Sequence, residues 1–259
     1  MRQPVTDAYQ KIFNGKKKIL VVFAHPDDLE LYCGGTVARL IADGRSVRSV
    51  KITSGEMGSR QEKIASDELL SIREKEDSAS MSKLGITSEN NIYLRLGDGK
   101  VENNLETIGK VARQIRLFQP DLIITHNPQN LVIRFDQNVS WFNHRDHRYT
   151  GQVVIDASYP YARDLLFYPE HFQDPQAQSW ICTQFLFVDS YDHQDSIFVD
   201  VTDFIVKRVA AHAQHSSQYS VKDAQGSADF FTKKWDPENK KNFETFRYVI
   251  VDWYQTWVI

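Results

Sequence analysis

The stretch Ile19-Leu20-Val21-Val22-Phe23-Ala24-His25-Pro26-Asp27-Asp28 runs from apolar residues straight into an imidazole and two carboxylates. Its first half is short and β-branched. It lies between Lys16-Lys17-Lys18 and a proline, and reads as a buried strand of a parallel sheet. In open α/β sheets, ligands bind just past the carboxyl ends of the strands. His25, Asp27 and Asp28 therefore leave the first strand where such a fold keeps its chemistry. Neutral imidazole and carboxylate suit a borderline cation such as Zn²⁺. Pro26 biases His25 towards extended backbone. Two neighbouring carboxylates outside a helix can point apart, one to a metal and one free to act as a base. A plainer reading makes Asp27 and Asp28 caps of a helix that starts near Leu29, because aspartate is a favoured N-cap.

A second cluster, Asn143-His144-Arg145-Asp146-His147-Arg148, weighs against that plainer reading. His144 and His147 lie near one another if a helix begins here. A catalytic zinc site takes three protein ligands and keeps one position open. His25, Asp28 and one of these histidines would supply the three. The alternative is a solvated helix start with alternating charges.

These two motifs resemble those of the LmbE/PIG-L family of zinc-dependent deacetylases, which remove N-acetyl groups from N-acetylglucosamine-type substrates. The family carries an (A/P)HPDD motif after its first strand and an HxDH motif further on. A third stretch also matches, Thr53-Ser54-Gly55-Glu56-Met57-Gly58-Ser59-Arg60. The resemblance runs from about Lys18 to about Tyr219. It implies metal ligands His25, Asp28 and His147, and it places Arg60 at the border of the site; His126, at the end of the strand expected over 121–126 and on the same carboxyl edge as His25, is the competing candidate to His147. Zinc is the expected metal, with another divalent cation such as Fe²⁺ as the alternative. In the expected hydrolysis, zinc-bound water attacks the amide and Asp27 takes its proton. Protonated His144 joins the metal in stabilising the oxyanion. Asp146 orients His144 and raises its basicity. The choice between Asp27 and His144 as proton donor to the leaving amine stays open. The expected partner is a small N-acetylated sugar or sugar conjugate, and the resemblance leaves a homo-oligomer open. Two other classes compete: a metal-dependent amidase of a non-sugar N-acyl substrate, and a non-catalytic metal- or sugar-binding homologue.

The rest of the chain frames these motifs. With 31 Lys plus Arg against 34 Asp plus Glu, the formal charge is −3, which argues against general attraction to nucleic acid. The two cysteines, Cys33 and Cys182, form no disulfide framework, and cytoplasm is the expected compartment. Cys33 reads as a small buried residue rather than a thiolate ligand. Met1 to Lys18 lacks an apolar signal core, and no run is long enough to span a membrane. Further strands are expected at 46–53, 91–96 and 121–126, alternating with helices at 36–43, 66–84 and 105–118. Gly34-Gly35 serves as a tight turn before the first of these helices. This alternation predicts an α/β, Rossmann-like, mostly parallel doubly wound sheet with helices on both faces. The whole chain, 1–259, reads as a single domain. Its core covers about 18–160, and a C-terminal strand and helix extension covers about 161–259.

Several local readings complete the picture. Arg73 pairs with Glu76 or Asp77 along its own helix. Asp98, between two glycines, is turn chemistry. The aromatic stretch Asn130 to Phe142 either binds sugar or packs on itself. A helix runs from His147 to about Tyr159, and another from Thr202 or Asp203 to about Gln218. Strands at 184–188 and 196–201 form a hairpin around Asp192-His193, with His193 as a turn residue. Residues 223–241 form a polar loop, and a last strand covers 246–253.

Overall fold

The computed structural model describes residues 5–59, 63–236, 238 and 240–252. In chain order the elements are α1 (Tyr9–Phe13), β1 (Lys18–Phe23), α2 (Asp28–Ala42), β2 (Ser46–Lys51), α3 (Ser66–Leu84), β3 (Asn91–Tyr93), α4 (Leu105–Phe118) and β4 (Leu122–Thr125). There follow β5 (Val132–Arg134), β6 (Ser140–Phe142), α5 (Arg145–Asp156), β7 (Gln184–Phe187), β8 (Ser196–Asp200), α6 (Ile205–His212), α7 (Val221–Thr232) and β9 (Phe243–Ile250).

The main sheet has the order β3-β2-β1-β4-β7-β9-β8. The neighbours from β3 to β7 are parallel, and β9 runs antiparallel to both β7 and β8. The expected α/β, Rossmann-like sheet is therefore present. Strand β1 explains the two-sided core. Ile19, Val21 and Phe23 pack with Leu29, Val37 and Phe231 on one face. Leu20 and Val22 pack with Val111, Ile115 and Val153 on the other. A strand buried on both faces has no polar alternation, which is why the run is continuously apolar.

Helices α3 and α4 match their expected bounds. Gly85 ends α3 at φ 99°, a conformation glycine adopts without strain. Asn104 caps α4 by accepting from the Thr107 backbone N–H.

Four local expectations are corrected, and the aromatic stretch takes a definite form. Helix α2 begins at Asp28 and passes through Gly34 and Gly35 instead of turning there. A Cβ on Gly35 would lie 2.7 Å from Val201 Cβ, so this glycine serves close packing. The strands β7 and β8 are not a hairpin, because β9 lies between them. The stretch 223–241 is not a loop throughout; it holds α7, opened by a capping box between Ser220 and Asp223. The aromatic stretch pairs into the β5–β6 ribbon, with Ile133 opposite Trp141. Helix α6 covers Ile205–His212, so the helix expected from Thr202 or Asp203 to about Gln218 is shorter at both ends. Among the described residues no helix is long and apolar enough to cross a membrane.

Candidate active site

The carboxyl ends of five parallel strands deliver polar side chains and, after β2, backbone groups to one cleft. His25, Asp27 and Asp28 follow β1, Gly55 and Gly58 follow β2, Asp98 follows β3, His126 follows β4 and Asp189 follows β7. Strand order reverses between β1 and β4, the place where doubly wound sheets bind ligands. His144 and His147 enter from the start of α5. The cavity is about 320 Å³ and is lined by His25, Asp27, Asp28, Arg73, Asp98, His144 and His147 on its polar side.

Asp28 is the hub. Its Oδ1 lies 3.2 Å from His147 Nε2. Its Oδ2 lies 3.4 Å from His25 Nδ1 and 3.3 Å from His126 Nε2, and accepts the His25 backbone N–H at 2.8 Å. Burial works against this carboxylate, but His147 and His126 hold its pKa well below the usual value.

Their surroundings push the three imidazoles in different directions. His147 is buried, and desolvation lowers its pKa to about 4, so it is neutral at neutral pH. Its Nδ1 is buried with no hydrogen-bond partner. His126 stacks on it at 3.9 Å between ring centroids. Burial opposes charge on His126 too, yet Asp28 on one nitrogen and Asp189, 3.0 Å from the other, raise its pKa. In His25, burial is outweighed by Asp146, Asp28 and Asp98, and its pKa rises well above the ordinary value. His25 Nε2 lies 3.1 Å from Asp98 and 3.5 Å from Asp146.

Asp27 does not cap α2 with its side chain. Its φ is 92°, a conformation costing about 1–3 kcal/mol in a non-glycine residue. The carboxylate instead accepts from Arg73 at 2.8 Å. Burial raises its pKa to about 6; Arg73 opposes the rise and Asp28 adds to it.

Two expectations change here. Arg73 pairs with neither Glu76 nor Asp77. Its guanidinium is buried and also donates to the carbonyls of Gly55 and Pro26, both at 2.8 Å. Asp146 does not orient His144 through its carboxylate. That carboxylate accepts from Gly99 N–H and faces His25, while the Asp146 backbone N–H donates to His144 Nδ1 at 3.2 Å. An accepting Nδ1 leaves the proton on Nε2. Burial, then the charge of His25, lowers the His144 pKa, so the expected protonated His144 gives way to a neutral ring.

The cleft thus brings together His25, Asp27, Asp28, His144, Asp146 and His147, while Arg60 lies outside the described residues. It also recruits residues that local reading missed or set aside: Arg73, Asp98, His126 and Asp189. Asp189 directly follows a predicted strand, so the strand-end rule that selected His25 could have found it. Cys33 is buried and its thiol is pushed well up, first by burial, which leaves it a packing residue.

The donor set fits a divalent cation. Imidazoles and the Asp28 carboxylate converge, four further aspartates (Asp27, Asp98, Asp146 and Asp189) surround them, and a buried ring nitrogen has no partner. Close combinations include His25, His144 and His147, and Asp28, His126 and His147.

Residues 20–158 match the PIG-L family, described as GlcNAc-PI de-N-acetylase. The chain belongs to this family. PIG-L relatives include the diacetylchitobiose deacetylase of Thermococcus kodakarensis, 26% identical over 212 residues, or 80% of this chain and 72% of that one. The 1D-myo-inositol 2-acetamido-2-deoxy-alpha-D-glucopyranoside deacetylase of Segniliparus rotundus is 28% identical over 56% of this chain and 51% of its own. Among solved structures, the N,N'-diacetylchitobiose deacetylase of Pyrococcus horikoshii, complexed with its inhibitor MPG, aligns with a TM-score of 0.77. It has 25% identity and covers 93% of this chain and 87% of that one.

Proposed function

We propose that this PIG-L chain hydrolyses the N-acetyl amide of an N-acetylglucosamine-type sugar, using a divalent cation held by His25, Asp28 and His147. The observation that carries this reading is the division of partners around Asp28. His147 brings Nε2 to 3.2 Å from Asp28 and keeps a buried Nδ1 with no hydrogen-bond partner, whereas His126 is engaged on both nitrogens, by Asp28 and by Asp189. His126 therefore anchors Asp28 from behind, and Asp189 fixes His126 in turn. His25 offers Nδ1 beside Asp28 while Asp98 and Asp146 hold its Nε2, the carboxylate–histidine arrangement of metal sites.

When bound, the cation, with zinc as the first candidate, supplies Lewis acidity that polarises the amide carbonyl and makes water more acidic. The chain supplies the rest. Asp27, with its carboxyl near 6, is matched to accept a proton from the attacking water at neutral pH. Arg73 fixes the direction of that carboxylate. Neutral His144 presents Nε2–H as a donor towards the developing oxyanion. Asp27, once protonated, is placed to return the proton to the departing amine.

Metal content and acetate release from N-acetylglucosamine substrates test this together, with Asp27→Asn as control. We expect about one metal per chain in both proteins, and a turnover loss of about 10²–10⁴-fold in the variant, the range for a lost general base. Metal without acetate release from any sugar would move the reading to an amidase of another N-acyl substrate. Protein without metal would remove its basis.

A further inference from the structure

Near the end of α5 the sheet carries an apolar groove that the hydrolysis does not use. It measures about 230 Å³ and is lined by Phe185 and Phe187 of β7, Val249 of β9, and Ile155 and Tyr159. Ile155 and Tyr159 stay 40% and 39% exposed, large apolar groups left at its rim. Arg247 also lines the groove, but its Nη1 donates to Gln129 Oε1 at 2.6 Å. The polar end is thus answered from within the chain, and the rest of the groove calls for apolar surface.

From Tyr159 the chain passes into a firmly held loop with an apolar tip. Leu165 and Leu166 are 63% and 92% exposed, and Phe167 beside them is 38% exposed. Arg116 of α4, fully buried, donates to the carbonyls of Tyr161 and Asp164 at 2.8 Å and to those of Ala162 and Tyr168 at 3.2 Å. Phe167 packs on Tyr161 with ring centroids 4.6 Å apart. Tip and groove are contiguous, because Arg163 lies over the Tyr159 ring at 4.3 Å and pairs with Asp164 at 2.6 and 3.1 Å. Adjoining apolar surface of this kind marks an interaction site. A loop pinned in this way loses little freedom when its tip is covered.

We propose that tip and groove are the two halves of one self-complementary interface: Leu165 and Leu166 of one copy enter the groove of a second copy of this chain, whose own tip enters the first groove. Two-fold association uses the same patch on both subunits, so a surface that carries plug and socket side by side fits a copy of itself. Ile155, Tyr159, Leu165, Leu166 and Phe167 together leave roughly 600 Å² open per copy, most of the ~800 Å² that a standard interface takes from each partner. The Arg163–Asp164 pair supplies a polar rim between the two halves. A small carboxylate with an apolar body is the rival occupant, and the bond from Arg247 to Gln129 weighs against it.

The test is sedimentation velocity with light scattering on the full chain, across a wide range of protein concentration. Wild type, Leu166→Asp, Ile155→Lys, Leu166→Met and an equimolar mixture of the two charged variants are compared. We expect an even number of chains in the wild-type particle. Leu166→Asp and Ile155→Lys each raise the dissociation constant at least about a hundredfold, since a two-fold interface loses the same apolar contact twice. Leu166→Met keeps the assembly. The mixture re-forms it: one groove receives an intact leucine, and at the other the introduced carboxylate meets the introduced ammonium. Recovery in the mixture also shows that both variants fold. Survival of the assembly in both charged variants overturns the proposal, as does a mixture that stays dissociated. A monomeric wild type overturns it too, and an octanoate-dependent rise in its Tm that Arg247→Gln abolishes would give the groove to the rival ligand. Neither Leu166 nor Ile155 lines the catalytic cleft, so the result stands apart from the deacetylase reading.

Discussion

Replacing Arg73 with alanine tests how the cleft is held together. The guanidinium joins α3 to the loops after β1 and β2 through Asp27, Pro26 O and Gly55 O, each at 2.8 Å. The side chains of Arg73 and Asp27 are only 5% and 11% exposed, so water replaces little of what is lost. Removing one partner of a buried, hydrogen-bonded ion pair costs about 3–5 kcal/mol. In a chain of this size that lowers Tm by roughly 6–20 °C. The loss depends on pH in a definite sense. The Asp27 carboxyl is already raised from 3.8 to about 6, so it destabilises the fold above its unfolded pKa. Without Arg73 the folded pKa climbs further, and the penalty grows at high pH while protonation relieves it at low pH. The Tm difference between wild type and Arg73→Ala should therefore be larger at pH 8 than at pH 5. The acid limb of kcat/KM should move upward by the same cause. Arg73→Lys should fall between, because an ammonium cannot reach three acceptors in different directions. A loss below about 1 kcal/mol, equal at both pH values, would refute the view that Arg73 sustains Asp27.

The remaining predictions concern the ligands, a buried pair and one glycine. His147→Ala should lose bound metal, whereas His126→Gln should retain a weaker site; stoichiometric metal in His147→Ala would transfer the ligand role to His126. His215 is raised from 6.5 to about 9, with burial opposing and Glu30 driving the rise, while Glu30 falls from 4.5 to about 2 against its own burial, drawn down by His215. Their pairing at 2.9 Å should stabilise fully between about pH 4.5 and 6.5, weaken as pH rises through 9, and weaken as it falls through 2. His215→Gln should flatten the Tm profile between pH 6.5 and 9, and an unchanged slope would sink the assignment. Gly35→Ala should cost about 1–3 kcal/mol by overpacking against Val201, and Val201→Ala should recover part of it. Additive effects of the two changes in urea unfolding would show that the contact does not matter.

Sequence reading succeeded where a local pattern and the tertiary structure demand the same thing. The run Ile19–Phe23 is apolar because both faces of β1 are covered, and the strand-end rule then placed His25, Asp27 and Asp28. Gly85 and Asn104 marked helix ends because their backbone roles are local. Reading failed where a side chain serves a distant partner. Arg73 sits among acidic neighbours on α3, so helical spacing offers Glu76 and Asp77, yet its partner lies 46 positions away. Gly34-Gly35 looked like a turn because close approach of Val201 and Arg208 leaves no trace in the adjacent residues. The neutral state of His144 was hidden for a similar reason: it follows from a backbone N–H that the helix start aims at the ring.

The placement of β9 has a consequence for how the protein is made. Strand β8 joins the sheet through β9, which is synthesised more than 40 residues later. Until residue 250 leaves the ribosome, β7 presents a bare edge of hydrogen-bonding groups and β8 lacks its sheet partner. The parallel half can form earlier, since β1, β2, β3 and β4 are all complete by Thr125. A nascent chain paused between those points carries an assembled row of strands with one adhesive side. Strand β9 thus covers the β7 edge and seats β8 in one step.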